Sequence, residues 1–246
     1  MRYLIIFGVL LFISCQSDYS KNNDVDYIDY VTNNDIDSDG VPDDVDLDNN
    51  TRSGAQVDQN GIMLNPIYLD TNGVTIKALD WAISGDIGQV NDVSYTVVDE
   101  NMLRQMVLND EDITKVCTTK VKVFTQLFVR KNSFNQLISS WDLSNAEGLN
   151  FMFFGATDFN QDISLWNVSN ATDMNFMFKD ARAFNQNISN WDTSNVLIMR
   201  EIFYGAESFN QDLSSWNVSK VNDCQSAFTN AGSWTLPKPD FTRCVI

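Results

Sequence analysis

Carboxylates at fixed spacing carry the most explicit chemistry in this chain. The run Asp35-Ile-Asp37-Ser-Asp39-Gly40-Val41-Pro42-Asp43-Asp44-Val45-Asp46 places carboxylates at loop positions 1, 3, 5, 9 and 12, with glycine at 6 and a carbonyl at 7. That register surrounds Ca²⁺ with hard oxygens, the glycine permitting the sharp turn. The expected ligands are Asp35, Asp37, Asp39, the Val41 carbonyl, Asp43 and Asp46. Asp46 is shorter than the glutamate that usually closes such a loop, which sets the expected affinity at the weak end, ~10⁻⁴–10⁻³ M. The alternative reading is a solvated acidic spacer. Catalysis is disfavoured, because the chain has no histidine. That removes the commonest general base, the commonest zinc ligand and every Ser-His or Cys-His arrangement. A carboxylate-only enzyme would need two converging acids, and Asp142 and Asp192 fall on alternate repeats roughly 10 Å apart. The chain is read as a non-enzyme.

The formal net charge is -17. Such an acidic chain does not suit nucleic acid, whose phosphates are bound by Lys and Arg. Twelve Asp against Lys21 and Arg52 concentrate the charge in residues 16–60. That segment is poor in apolar residues, as a disordered tether would be. Its aspartate run also resembles a thrombospondin type 3 calcium repeat.

Met1–Cys15 has a basic start at Arg2 and an apolar run from Tyr3 to Ile13, too short for a spanning helix. It reads as a signal peptide. Phe12-Ile13-Ser14-Cys15 resembles a bacterial lipobox, with Phe12 where leucine is usual. The resemblance implies a lipidated Cys15 that anchors the mature chain in the outer membrane. Gln16-Ser17-Asp18 resembles the tag of surface-exported lipoproteins in Bacteroidota. An ordinary signal peptide cut elsewhere is the alternative.

The elements that must present any binding surface follow from a period. Trp141, Trp166, Trp191 and Trp216 stand 25 residues apart, as do Phe134, Phe159, Phe184 and Phe209, each followed by Asn-Gln. A period of this length marks stacked units that bury their apolar faces against one another. Ile163, Trp166 and Val168 suggest a short extended segment; Met174, Met177 and Phe178, at i, i+3 and i+4, suggest a helical turn. Before the repeats, Val74–Ala78 and Ser94–Val98 are expected strands. Glu100–Leu108 is an expected helix capped by Asp99. The domains expected are a signal peptide at 1–15, the acidic linker at 16–60 and an N-terminal cap at 61–111. Repeats follow at 112–232 and a capping tail at 233–246.

The FNQ, W-x-V-S and M-x-x-M-F elements resemble the BspA-like leucine-rich repeats of bacterial surface proteins. The resemblance implies an α/β fold: a short right-handed solenoid of 25-residue repeats with a parallel sheet, a small α+β cap and a disordered acidic tether. It also implies an adhesion or interaction function at the cell surface. The partner is then a protein or glycan on another surface, met by a monomer that is multivalent on the cell. Glycan capture for nutrient uptake is the alternative, and exposed aromatics would favour it. The Trp column is read as core and the Asn column as a backbone-satisfying ladder. Binding is expected on the outward strand positions, Ser140, Leu165, Asn190 and Ser215 with Asp142, Asn167, Asp192 and Asn217. In an oxidising envelope Cys224 and Cys244 are expected to pair and fasten the tail, leaving Cys117 buried and unpaired; three free thiols are the alternative.

Overall fold

Two left-handed residues recur in every 25-residue unit, and they decide the fold. A computed structural model describes residues 34–244. In it Gln126, Phe151, Phe176, Glu201 and Ser226 have φ between 49° and 61°. Four residues on, Arg130, Gly155, Asp180, Gly205 and Asn230 have φ between 56° and 69°. An α-helix would return each N–H to the carbonyl four residues back. Here the N–H groups of Met174, Phe176, Phe178 and Asp180 point sideways to the carbonyls of Ile198, Arg200, Ile202 and Tyr204 in the next unit, at 2.7–3.0 Å. The intervening Met177 and Lys179 N–H groups turn back only three residues, to Met174 and Phe176, at 3.2 Å. The expected helical turn is therefore a lateral ladder of turns, although its spacing still buries Met174, Met177 and Phe178.

The expected strands of the repeats are absent for a second reason. Asp and Asn side chains fold the chain back on itself two residues on. Asp162, Asn167, Asn187, Asp192, Asp212 and Asn217 each accept the N–H of a following serine, at 2.9–3.2 Å. Such local bonds compete with a sheet. Pairing between units is left to isolated parallel bridges, Val123–Gly148–Asp173–Ile198–Asp223. The α/β leucine-rich-repeat solenoid with a parallel sheet is accordingly corrected. The chain is turn- and coil-rich, with small antiparallel and mixed sheets and, among the described residues, one helix.

Side chains join the units. The four tryptophan rings stack at 6.3–6.5 Å and within 9° of parallel. Each indole N–H donates to an isoleucine carbonyl 28 residues earlier, Trp191 to Ile163 at 3.1 Å and Trp216 to Ile188 at 2.9 Å among them. Phe134, Phe159, Phe184 and Phe209 form a parallel column beside them, at 5.7–5.8 Å. Asn135, Asn160, Asn185 and Asn210 each accept a backbone N–H 25 residues on, at 2.8–3.0 Å.

The N-terminal cap is a hairpin of β1 (Ile67–Leu69) and β2 (Ile76–Ala78), followed by β3 (Ile87–Val90), β4 (Val93–Val97) and α1 (Glu100–Leu108). Asn91 and Asp92, both with positive φ, make the tight turn between β3 and β4. β4 pairs in parallel with β5 (Val116–Cys117). Asp99 accepts the Met102 N–H at 2.8 Å and caps α1, whose Leu103 and Val107 join the core of the first unit. No helix among the described residues is long and apolar enough to cross a membrane.

The disordered tether is corrected for residues 34–60. Aspartates bind the loop's own backbone there, and Thr51 is buried, its hydroxyl donating to the Gly61 carbonyl at 2.9 Å. Arg52 fastens the loop to the cap through buried Asp86, at 2.5 Å. The Arg52 guanidinium holds the Asp86 carboxyl below its usual range despite the opposing cost of burial, the largest single influence. The signal peptide, Cys15 and the linker up to residue 33 lie outside the described residues.

Candidate functional site

The expected stripe is largely taken up by the fold. Asp142 is buried, a correction to its outward placement, because β2 docks over it. Ile76 N–H donates to the Ser140 carbonyl at 2.9 Å, and the Thr119 hydroxyl donates to the Asp142 carboxylate at 2.7 Å. Asn167, Asp192 and Asn217 are exposed, but their side-chain oxygens cap serine N–H groups. The Ser215 hydroxyl donates to the Ser189 carbonyl at 2.9 Å. Leu165 and Asn190 are exposed.

A different face carries the variation between units. At the first left-handed position the residues run Gln126, Phe151, Phe176, Glu201, Ser226; three residues later they run Val129, Phe154, Lys179, Tyr204, Thr229. Phe151, Phe154, Phe176 and Tyr204 are all half-buried here. A positive φ on a phenylalanine costs about 1 kcal/mol or more. The Phe151 and Phe176 rings stack at 4.5 Å, and Phe154 meets Phe151 edge-on at 6.0 Å. Lys179 Nζ lies 4.6 Å from the Tyr204 ring and 5.3 Å from that of Phe176, and is paired with Glu201 at 2.5 Å. Beside this patch burial holds the Asp173 carboxyl above its usual range, against the Asn175 N–H that it accepts. The Asn175 Oδ1 atom is buried without a partner.

Sequence reasoning passed over these aromatics because it assigned them to a helix and looked for variation on strands. The signal was present: at positions 151 and 176 an apolar ring stands where other units have glutamine, glutamate or serine.

The carboxylate run forms a second cluster. Asp35, Asp37 and Asp39 each bring an oxygen within 4.8 Å of the others. Asp46 is buried with its Oδ2 unpartnered, as are the Asp39 Oδ2 and Asn49 Oδ1 atoms. The Val41 N–H lowers the Asp39 carboxyl, but desolvation and the charges of Asp37, Asp46 and Asp35 together push it up. Neither Asp43 nor Asp46 is in the group: the Asp43 carboxylate accepts the Ile36 N–H at 2.9 Å, whereas the Asp46 charge acts on Asp39. The Val41 N–H donates to Asp39 at 2.8 Å. Orphaned buried oxygens around mutually repelling acids fit a hard cation.

At the far end, Cys224 and Cys244 form a disulfide, and Cys117 is free and buried. Trp234 ends the aromatic column by standing edge-on to Phe203, Phe209 and Phe228, at 75–80°.

Fold and site together define a repeat protein whose periodic residues build a core and whose irregular residues collect on one turn face. The chain belongs to the family described as Mycoplasma protein of unknown function, DUF285, with matches over residues 98–196 and 165–241 that together span more than half of it. Comparison with characterised proteins and with solved structures finds no match.

Proposed function

We propose that this chain is a lipid-anchored surface protein, without catalytic activity, that adheres to a protein on another surface through its turn face. The observation that carries the reading is the gathering of Phe151, Phe154, Phe176 and Tyr204 around Lys179 at positions where the repeats differ. Aromatic rings framed by cations dominate the energetics of protein interfaces. A protein partner is favoured over a stacked sugar on this face, because Phe151 and Phe176 cover each other's ring faces. The likeness of the repeats to BspA-like surface proteins supports the placement outside the cell. So does the lipobox-like end at Cys15, which would hold the chain in the outer membrane. Five short units offer fewer residues than the 20–30 a side of a standard interface. A single molecule should bind weakly, with retention coming from many copies on one surface.

The test is retention of beads coated with the full chain on an array of matrix proteins. Replacing both Phe151 and Phe176 by serine should lower retention at least tenfold, about 1.4 kcal/mol. Asn190→Ala should leave it unchanged. The opposite pattern would return the site to the stripe read from the sequence.

We further propose that Ca²⁺ is held by Asp35, Asp37 and Asp39, with Asp46, whose charge acts on Asp39, completing the site, and that it stiffens the N-terminal segment. The ion would neutralise the carboxylates and take up the orphaned oxygens. At 1 mM Ca²⁺ a site of the expected affinity adds about 0.4–1.4 kcal/mol, or roughly 1–6 °C in melting temperature. Asp46→Asn should remove the shift, and an unchanged transition with and without EDTA would rule the ion out.

A further inference from the structure

We infer that the last turn row of the stack is a docking edge for an acidic peptide segment of a partner protein. At the junctions between units, four backbone N–H groups of one row reach four carbonyls of the next. Phe124, Gln126, Phe128 and Arg130 donate to Gly148, Asn150, Met152 and Phe154 at 2.7–3.0 Å. Met199, Glu201, Phe203 and Gly205 donate to Asp223, Gln225, Ala227 and Thr229 at 2.8–3.0 Å. In the last row the equivalent N–H groups belong to Cys224, Ser226, Phe228 and Asn230, and none has an acceptor among the described residues.

The last row keeps the shape of the others. Ser226 and Asn230 have φ of 55° and 60°, and the Ala227 and Thr229 N–H groups turn back to the Cys224 and Ser226 carbonyls at 3.0 and 3.2 Å. Its four donors therefore point out of the end of the stack. Gln225, Thr229 and Asn230 are exposed, whereas Arg200, Tyr204 and Gly205, one unit earlier, are half-buried or buried. The tail does not fill the place. Trp234, Thr235 and Phe241 stand 25 residues after Phe209, Asn210 and Trp216 and extend those columns instead, and the bridge to Cys224 then turns the chain back.

Charge selects the occupant. The lateral peptides of the stack all point the same way, so their dipoles add along each hydrogen-bonded column as they do along a helix, with the positive end at the last row. At the negative end Arg104 donates to the Val123 carbonyl at 3.2 Å, a cation in the matching place. The positive end has no free carboxylate to match. Asp223 beside it already accepts the Gln225 N–H at 3.2 Å and faces Arg200 at 3.9 Å. The disulfide brings a cation there instead. The Cα atoms of Cys224 and Cys244 lie 5.8 Å apart, and Arg243 is exposed and in no ion pair among the described residues. Lys220, Lys238 and Arg243 outnumber Asp223 and Asp240 in residues 217–246 of a chain whose net charge is -17.

A peptide is what meets this row everywhere else in the stack, and a segment whose alternate carbonyls face one edge would add one more row. Arg243 and the positive end of the columns favour acidic side chains on that segment. A second copy cannot supply the row, because α1 packs against its first unit and Arg104 already holds the Val123 carbonyl. The edge is separate from the aromatic patch, and its test does not depend on the partner proposed there.

The experiment is amide NMR on the full chain. In the free chain the N–H groups of Ser226, Phe228 and Asn230 should exchange with D₂O about tenfold or more faster than those of Glu201, Phe203 and Gly205. Titration with an acetylated, amidated octapeptide of alternating Glu and Thr should shift the amides of the last row. The same peptide with Gln for Glu should bind about fivefold more weakly, and Arg243→Gln should weaken the acidic peptide about threefold to tenfold. Arg182→Gln, which removes the same charge elsewhere, should change affinity less than about twofold. Hexametaphosphate, a polyanion without carbonyls, should bind more weakly than the acidic peptide. Protected last-row amides in the free chain, no shift at ~5 mM acidic peptide, equal binding of the Gln peptide, equal loss in the two arginine variants, or hexametaphosphate binding as tightly would each overturn the inference.

Discussion

Trp191→Ala is expected to cost about 5 kcal/mol and to lower the melting temperature by roughly 10–20 °C. Trp191 is 3% exposed and sits between Trp166 and Trp216, so alanine leaves a cavity that two parallel rings cannot close. Removal of a buried tryptophan costs about 3–5 kcal/mol by that route alone. The lost indole N–H also leaves the Ile163 carbonyl with one donor, the Trp166 N–H at 3.2 Å, in place of two, which adds about 0.5–1.5 kcal/mol. Against a total stability of about 5–15 kcal/mol, this is enough to loosen the stack in its middle. Trp191→Phe separates the two contributions. It keeps a ring in the column and removes the hydrogen bond, and should cost about half as much. Chemical denaturation of the three proteins checks both values. A cost below ~2 kcal/mol for the alanine variant would mean that the indole column fills space without organising it.

Loss of the Cys224–Cys244 bridge is the second large effect expected. The bridge closes a segment with a sequence separation of 20, and the chain-entropy model gives about 3 kcal/mol for a loop of that size. Cys244→Ser is the cleaner variant, because Cys224 is fully buried in the core and Cys244 is not. The tail's other attachments are few. Asn210 accepts the N–H groups of Thr235 and Leu236 at 2.8 and 3.0 Å, and the Pro237 carbonyl accepts that of Leu213 at 3.0 Å. The melting temperature should fall by about 6–12 °C. Limited proteolysis should cut the tail of the variant well before the repeats. A tail that resists cleavage as well as the parent's would assign its anchoring to Trp234 and Phe241, which pack on Phe228 at 4.9 and 5.6 Å.

The period and the interior of the stack could be read from residue types, because an aromatic at a fixed interval has few other uses. The indole column, the asparagine ladder and the helix behind Asp99 all lie where spacing placed them. The class of fold could not be read. Met174, Met177 and Phe178 face inward equally well from a helix or from alternating turns. What distinguishes the two is a left-handed backbone, and glycine announces it only at Gly155 and Gly205. At Phe151, Phe176 and Glu201 the same conformation is imposed by the neighbouring unit, through hydrogen bonds 24 residues away in sequence. Asp142 was hidden for a similar reason. It has the same residue type as Asp192, but hairpin β1–β2, more than 60 residues earlier, covers only the first of them. The turn-face aromatics were visible as irregularities in a regular pattern, but which surface they shared depended on the backbone between them.

The asparagine ladder has a consequence for how such a chain can change length. Each rung joins residues 25 apart, and the indole and phenylalanine columns keep the same interval. Insertion or deletion of one whole unit leaves every rung opposite a rung and every ring opposite a ring. A change of any other length moves an asparagine oxygen away from the backbone N–H that it accepts and breaks the ring columns at the join between two units. Variation in this architecture should therefore be quantised: gene duplications and losses in whole units are tolerated, small indels are confined to the cap and the tail, and point substitutions accumulate on the turn face.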